Sequence, residues 1–151
     1  MKHYWLMKSE PESYGIRHLQ NDTTTAWTGV RNFQARNFMK AMQVGDTVLF
    51  YHSNCKEPGI YGIAEVVSTP YPDETQFDPA SRYFERRATS KKPLWELVDI
   101  AFVKELSKPV LLSALRTNER LARMRILEPG SRLSVTPVTK EEFKEIERMA
   151  R

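Results

Sequence analysis

The densest run of chemically useful side chains is Trp27-Thr28-Gly29-Val30-Arg31-Asn32. It brings together an indole face, a glycine that lets backbone approach closely, a guanidinium and a carboxamide. These types suit a planar, polar ligand such as a flipped base. An aromatic wall takes the ring face, and donors and acceptors read the edge. Trp27 is the best candidate for that wall, with a core tryptophan as the alternative. Asn32 either addresses a base edge or caps the helix that follows it. Two further polar runs leave the ends of apolar stretches. Tyr51-His52-Ser53 offers an imidazole and a hydroxyl to a base or phosphate, or to a turn. Lys8-Ser9-Glu10 offers a cation for the nucleic-acid backbone and a hydroxyl that faces a ligand or caps a helix. Arg31 and Arg132 fit phosphate or base-edge contacts, or an ordinary surface.

Catalytic and metal signatures do not emerge. His3, His18, His52 and Cys55 lack metal-ligand spacing, and no Walker loop, GxGxxG turn or GxSxG elbow occurs. His52 and Ser53 are adjacent on a strand, so they face opposite ways and make a poor base–nucleophile pair. No cofactor is expected.

Charge adds to the case for nucleic acid. The net charge is only +4, from 23 basic and 19 acidic residues. Yet from Arg82 to Lys92 five bases stand against the single acid Glu85, and arginines recur from Arg116 to Arg132. Such patches neutralise phosphates, or are uneven solvated surface. The 151 residues fit one domain, 1–151. No run is long enough to span a membrane, no secretory leader is evident, and one cysteine suits the cytoplasm. A monomer is the default expectation.

The elements that must position these groups follow from pattern. His3–Met7 reads as a first strand, and Ser9-Glu10-Pro11-Glu12 as a capping box opening a helix toward Leu19. A polar loop spans Asn21–Thr25. The helix Phe33–Met42 offers Phe33, Phe38 and Met42 to a core. Thr47–His52 and Ile60–Ser68 are strands, and Thr69–Ser90 is a long ordered loop. Leu94–Leu106 is a long, bent strand. Short helices cover Val110–Arg116 and Glu119–Met124. Arg132–Val135 is a last strand, and the capping box Thr139-Lys140-Glu141-Glu142 opens a terminal helix that buries Phe143 and Ile146. Trp5 and Trp95 belong to the core. The sum is an α+β domain: a curved, mixed sheet or partial barrel with short peripheral helices.

The run from Trp27 to Val66 resembles the EVE domain family, of PUA-like fold. Similar blocks are Met7-Lys8-Ser9-Glu10-Pro11, Tyr71-Pro72-Asp73, Trp95 with Val98-Asp99, Gly130 to Val135, and Pro137-Val138. They lie in family order over nearly the whole chain. The resemblance implies a pocket lined around Ser9, Trp27 to Asn32 (Val30 included), Tyr51 to Ser53, and Arg132-Leu133-Ser134. EVE domains are similar in fold to YTH domains, which hold methylated adenine in an aromatic cage. A non-enzymatic reader of a modified base in DNA or RNA is therefore implied, with Arg31, Arg82, Arg132 and Lys8 toward the backbone. One departure is Thr28, where many members carry an acid. The related ASCH fold implies an alternative, a small hydrolase of modified nucleosides using Lys8 and Glu10. A protein-interaction module is a third reading.

Overall fold

In the computed structural model, which describes residues 2–151, strand β1 (Tyr4–Ser9) sets the architecture. Trp5 and Met7 point to one face and Leu6 to the other, and all three are buried. A strand buried on both faces belongs at the centre of a layered structure. After β1 come α1 (Pro11–Tyr14), α2 (Ile16–Asp22), β2 (Thr24–Ala26), α3 (Phe33–Lys40), β3 (Thr47–His52) and β4 (Gly59–Val66). Then follow β5 (Tyr71–Pro72), β6 (Glu96–Leu97), β7 (Asp99–Leu111), α4 (Leu112–Thr117), β8 (Val135–Val138) and α5 (Lys140–Met149).

The main sheet runs β2-β7-β4-β3-β1-β8, and β5 pairs with β6 in a small second sheet. Strands β1 and β3 are parallel, while the remaining pairs are antiparallel. Register shifts in the β3–β4 and β4–β7 pairs curl the sheet into a half-barrel, since bulges bend and twist a strand. Every residue of β3 is buried. Val48 and Phe50 face a core shared with Trp5, Trp27, Met39 and Ile100, while Leu49 and Tyr51 face a second core with Leu115 and Ile146. At Gly62 a side chain would collide with Ile16, so the glycine lets α2 lie against the sheet.

Several boundaries depart from pattern. Ser9 is the last residue of β1, held by pairing with His52, so Glu10 stands at the N-cap of α1 without a side-chain cap. The helix expected toward Leu19 breaks at Gly15 into α1 and α2. Part of the expected polar loop is β2, which exists because Thr24–Ala26 pairs with Asp99–Ala101. The expected long strand divides at Val98 into β6 and β7, which serve different sheets. The final strand starts at Val135 rather than Arg132 and pairs with β1. In α3 the buried residues are Ala35 and Met39, followed by Met42, whereas Phe33 is 46% exposed and Phe38 only partly buried. The Thr139–Glu142 capping box forms, and Ile146 is buried with Phe143 stacked on Tyr4.

Candidate functional site

The ends of β1 and β2, the segment Ala26–Val30, α1 and the loop after β5 enclose a cavity of about 400 Å3. Of the anticipated residues, Lys8, Ser9, Trp27, Val30, Arg82 and Ser134 line it. Trp27 is both a packed, buried residue and part of the cavity lining. It is 8% exposed and packs edge-on against Phe50 at 5.5 Å, yet it also forms cavity wall. Trp5 and Trp95 donate their indole N–H groups to Asp46 and Glu85. The Trp27 indole N–H makes no hydrogen bond among the described residues.

The same cavity has a further aromatic wall, Tyr83, that pattern reading missed. Tyr83 lies over Gly29, where a Cβ would fall 2.6 Å from the ring, and Gly29 itself has φ +89°. Only glycine satisfies both the left-handed backbone and the close approach. The Gly29 N–H donates to Asp73 Oδ2 at 2.9 Å. Asp73 also accepts from Thr75 and from Arg31 Nη1 at 3.1 Å. Burial pushes the Asp73 carboxyl up, but the bonds from Thr75, Gly29 and Arg31 outweigh it and hold the group below the usual range. Arg31 in turn grips the Tyr83 carbonyl through Nε and Nη2, at 3.1 and 2.8 Å. Its guanidinium sits between the Tyr83 and Trp95 rings, 5.3 and 5.4 Å from their centres. Arg31 is therefore a strut behind the cavity wall. Gln76, fully buried, ties the same loop to Trp95 through both ends of its amide.

Apart from Ala26 and Gly29 the rest of the lining is polar: Ser13, Tyr14, Thr25, Thr28 and Glu10 join Ser9 and Ser134. Lys8 is half-buried, and burial lowers its ammonium pKa. One Glu10 oxygen accepts from Asn54 Nδ2 at 3.1 Å. Tyr14 donates to Asp22 at 2.8 Å, leaving its ring toward the cavity. No group of three or more His, Cys, Asp or Glu among the described residues could hold a metal ion.

Other anticipated residues stand elsewhere. Asn32 Oδ1 accepts from the Ala35 N–H at 3.0 Å, so its carboxamide caps α3. Tyr51 faces the second core, and burial pushes its hydroxyl up to about 12. His52 Nε2 accepts from the Ile16 N–H at 3.1 Å, and its ring stacks on Tyr61. Ser53 meets Ser9 through its backbone N–H. Leu133 packs on the first core, and Arg132 is exposed and does not line the cavity.

The EVE domain family model matches residues 3–149. The chain belongs to the EVE domain family. It is 41% identical to chicken thymocyte nuclear protein 1 over 93% of its own length, and spans 65% of that relative. A Leishmania major protein of known structure shares 47% identity, with TM-score 0.95 over 99% of this chain and 95% of that one. Human THYN1, solved in complex with 5-methylcytosine-containing DNA, shares 38% identity with TM-score 0.93 over 99% and 98% of the two chains. A Zymomonas mobilis ASCH protein, at 10% identity and TM-score 0.55, shares the fold alone. No helix is long and apolar enough to cross a membrane among the described residues.

Proposed function

We propose that this EVE domain, 1–151 acting as one unit, binds nucleic acid and reads a modified base without chemical turnover. The observation that carries this reading is the cavity itself. Trp27, Tyr14 and Tyr83 supply ring walls, and hydroxyls and charges lie at their edges. Its volume falls within the range of pockets that enclose small ligands. The relative solved with 5-methylcytosine-containing DNA points to cytosine as the first base to test. A cytosine presents an amino donor that needs an acceptor. Glu10, with one oxygen engaged by Asn54, is the carboxylate in this cavity, whose lining also includes Thr28. Ala26, Val30 and the Trp27 ring offer an apolar lining for a methyl group. Ser9 and Ser134 address the remaining edge, while Lys8 and Arg82 meet phosphate. DNA is favoured over RNA by that same relative, and the single Cys55 favours a reducing, cytoplasmic setting.

The test is fluorescence anisotropy with short DNA and RNA strands at fixed salt, carrying unmodified, 5-methyl-, 5-hydroxymethyl- or N6-methyl-bases. One modified strand should bind about tenfold tighter than its unmodified counterpart, the scale set by burying a methyl group. Trp27→Phe should erode this affinity while the protein stays folded. Equal, salt-sensitive binding to all strands would reduce the protein to a basic surface. A second reading, hydrolysis of modified nucleosides, has one observation behind it: Lys8 and Glu10 line the same cavity. Turnover of an acylated nucleoside, lost in Lys8→Met, would establish it.

A further inference from the structure

Tyr83 and Phe84 are sequence neighbours with opposite placements. Tyr83 closes the base cavity against Gly29, whereas the Phe84 side chain turns out to solvent and is 43% exposed. The other conspicuously exposed aromatic ring, Phe33, already has ring partners. It stacks on Trp95 at 4.6 Å and lies under the Arg36 guanidinium at 4.8 Å. Phe84 has no aromatic or cationic partner among the described residues. It lines a second cleft of about 410 Å3, together with Asn32, Phe33, Arg82, Tyr83 and Glu85. Arg82 and Tyr83 line both clefts, so the two share a wall. On that shared ridge the exposed Arg82 guanidinium sits 5.0 Å from the centre of the Tyr83 ring.

The charge around this second cleft selects its occupant. Arg82, Arg86 and Arg87 flank Phe84 in sequence, with Lys91 and Lys92 beyond. The one acid among them, Glu85, is clasped by Arg87 Nε and Nη2 at 2.9 and 3.0 Å and accepts from the Trp95 indole. Its charge is thus internally compensated, which leaves Arg82 on the shared wall to face an anion. An uncovered aromatic ring between arginines is the arrangement that stacks a nucleobase and holds its phosphate. An apolar protein segment would leave the exposed Arg82 guanidinium of this cleft without an anion.

We propose that Phe84 stacks on the base adjacent to the one held in the Trp27 cavity, and that Arg82 binds the phosphate joining the two nucleotides. The domain would then read a dinucleotide step, with one base enclosed and its neighbour stacked. This inference rests on the base-reading proposal above.

Strands carrying the preferred modified base, with an abasic residue on its 5′ side, its 3′ side or neither, separate the two ideas. For the unaltered protein, an abasic neighbour on one side only should weaken binding about tenfold, the effect of losing one base–aromatic stack. Phe84→Ala should bind all three strands alike, Phe84→Leu should resemble it, and Phe84→Tyr should restore the sensitivity. Each variant should keep the preference for modified over unmodified base, because Phe84 does not line that cavity. If abasic neighbours change nothing while that preference persists, the second subsite is wrong and the reader stands. The subsite is equally overturned if Phe84→Ala retains the full abasic penalty. If the unaltered protein prefers no modified base, the reader fails, and the subsite with it.

Discussion

The ends of β1 and β3 lie side by side, with Ser9 opposite His52 in register. Each carries a run of polar groups leaving the sheet, Lys8-Ser9-Glu10 on one strand and Tyr51-His52-Ser53 on the other. All three residues of the first run line the cavity, and none of the second does. The difference is the start of α2. Backbone N–H groups at a helix start lack intrahelical acceptors, and His52 Nε2 supplies one to Ile16. Asn32 does the same for α3. Asp73 and Arg31 are likewise consumed in holding Gly29 and Tyr83 in place. We therefore expect a polar side chain near the pocket to serve a ligand only where the fold leaves it an open hydrogen-bonding atom. Engaged groups should move stability, and open ones should move binding.

The sharpest way to break this contrast is Asp73→Ala. It removes the acceptor of the Gly29 N–H and leaves the Arg31 guanidinium, 21% exposed, without its carboxylate. A loss of about 3 kcal/mol is expected in urea denaturation, the scale for breaking a largely buried ion pair from one side. Asn32→Ala should cost about 1 kcal/mol, as the loss of an N-cap does. The ratio of modified to unmodified affinity should not change, and a collapse of that ratio would return Asn32 to the base edge.

The His52 placement makes a pH prediction. Burial, and to a smaller extent His18, lowers its pKa, while Glu105 works the other way. An imidazolium would also aim a proton at the Ile16 N–H. Below about 6.5 the unfolded histidine takes up a proton that the folded one resists, so the unfolded state binds more protons there. Stability should then decline as pH falls through 6.5 toward the lower folded value, and level off beneath it. His52→Gln should flatten that slope in denaturation midpoints measured between pH 7 and 5. An unchanged slope would mean that another group is responsible.

The smallest effects distinguish the two serines. Ser53→Ala should alter stability by less than about 0.5 kcal/mol, as surface substitutions do, and leave binding untouched. Ser9→Ala should be as mild for stability yet weaken binding severalfold, by roughly the 1 kcal/mol of one hydrogen bond. Equal behaviour of the two would erase the distinction between the strand ends.

Local chemistry made much of this legible beforehand. Strands β3 and β4 announce themselves as apolar runs bounded by turn residues. The Asn32 cap and the Thr139–Glu142 box follow from side-chain groups within three residues of their partners. Six of the anticipated site residues, Lys8, Ser9, Trp27, Val30, Arg82 and Ser134, do meet in one cavity. Tyr83 did not stand out, because nothing adjacent to it shows that its ring will rest on a glycine 54 residues earlier in the chain. Its one local signal is a tyrosine beside Arg82 in a basic, aromatic loop.

By itself, then, the amino-acid order determined the elements whose stabilising groups are near in sequence, and membership in the EVE family. Tertiary structure alone decided which polar groups remain open. β2 exists only because β7 lies beside it, and Ser9 stays in a strand because His52 holds it in register. Arg31 turned from a phosphate candidate into a strut because Asp73 and the Tyr83 carbonyl converge on it from 42 and 52 residues away. A hydrogen-bonding group takes whichever partner the folded chain brings within about 3 Å, and that choice is made by contacts the local sequence does not contain.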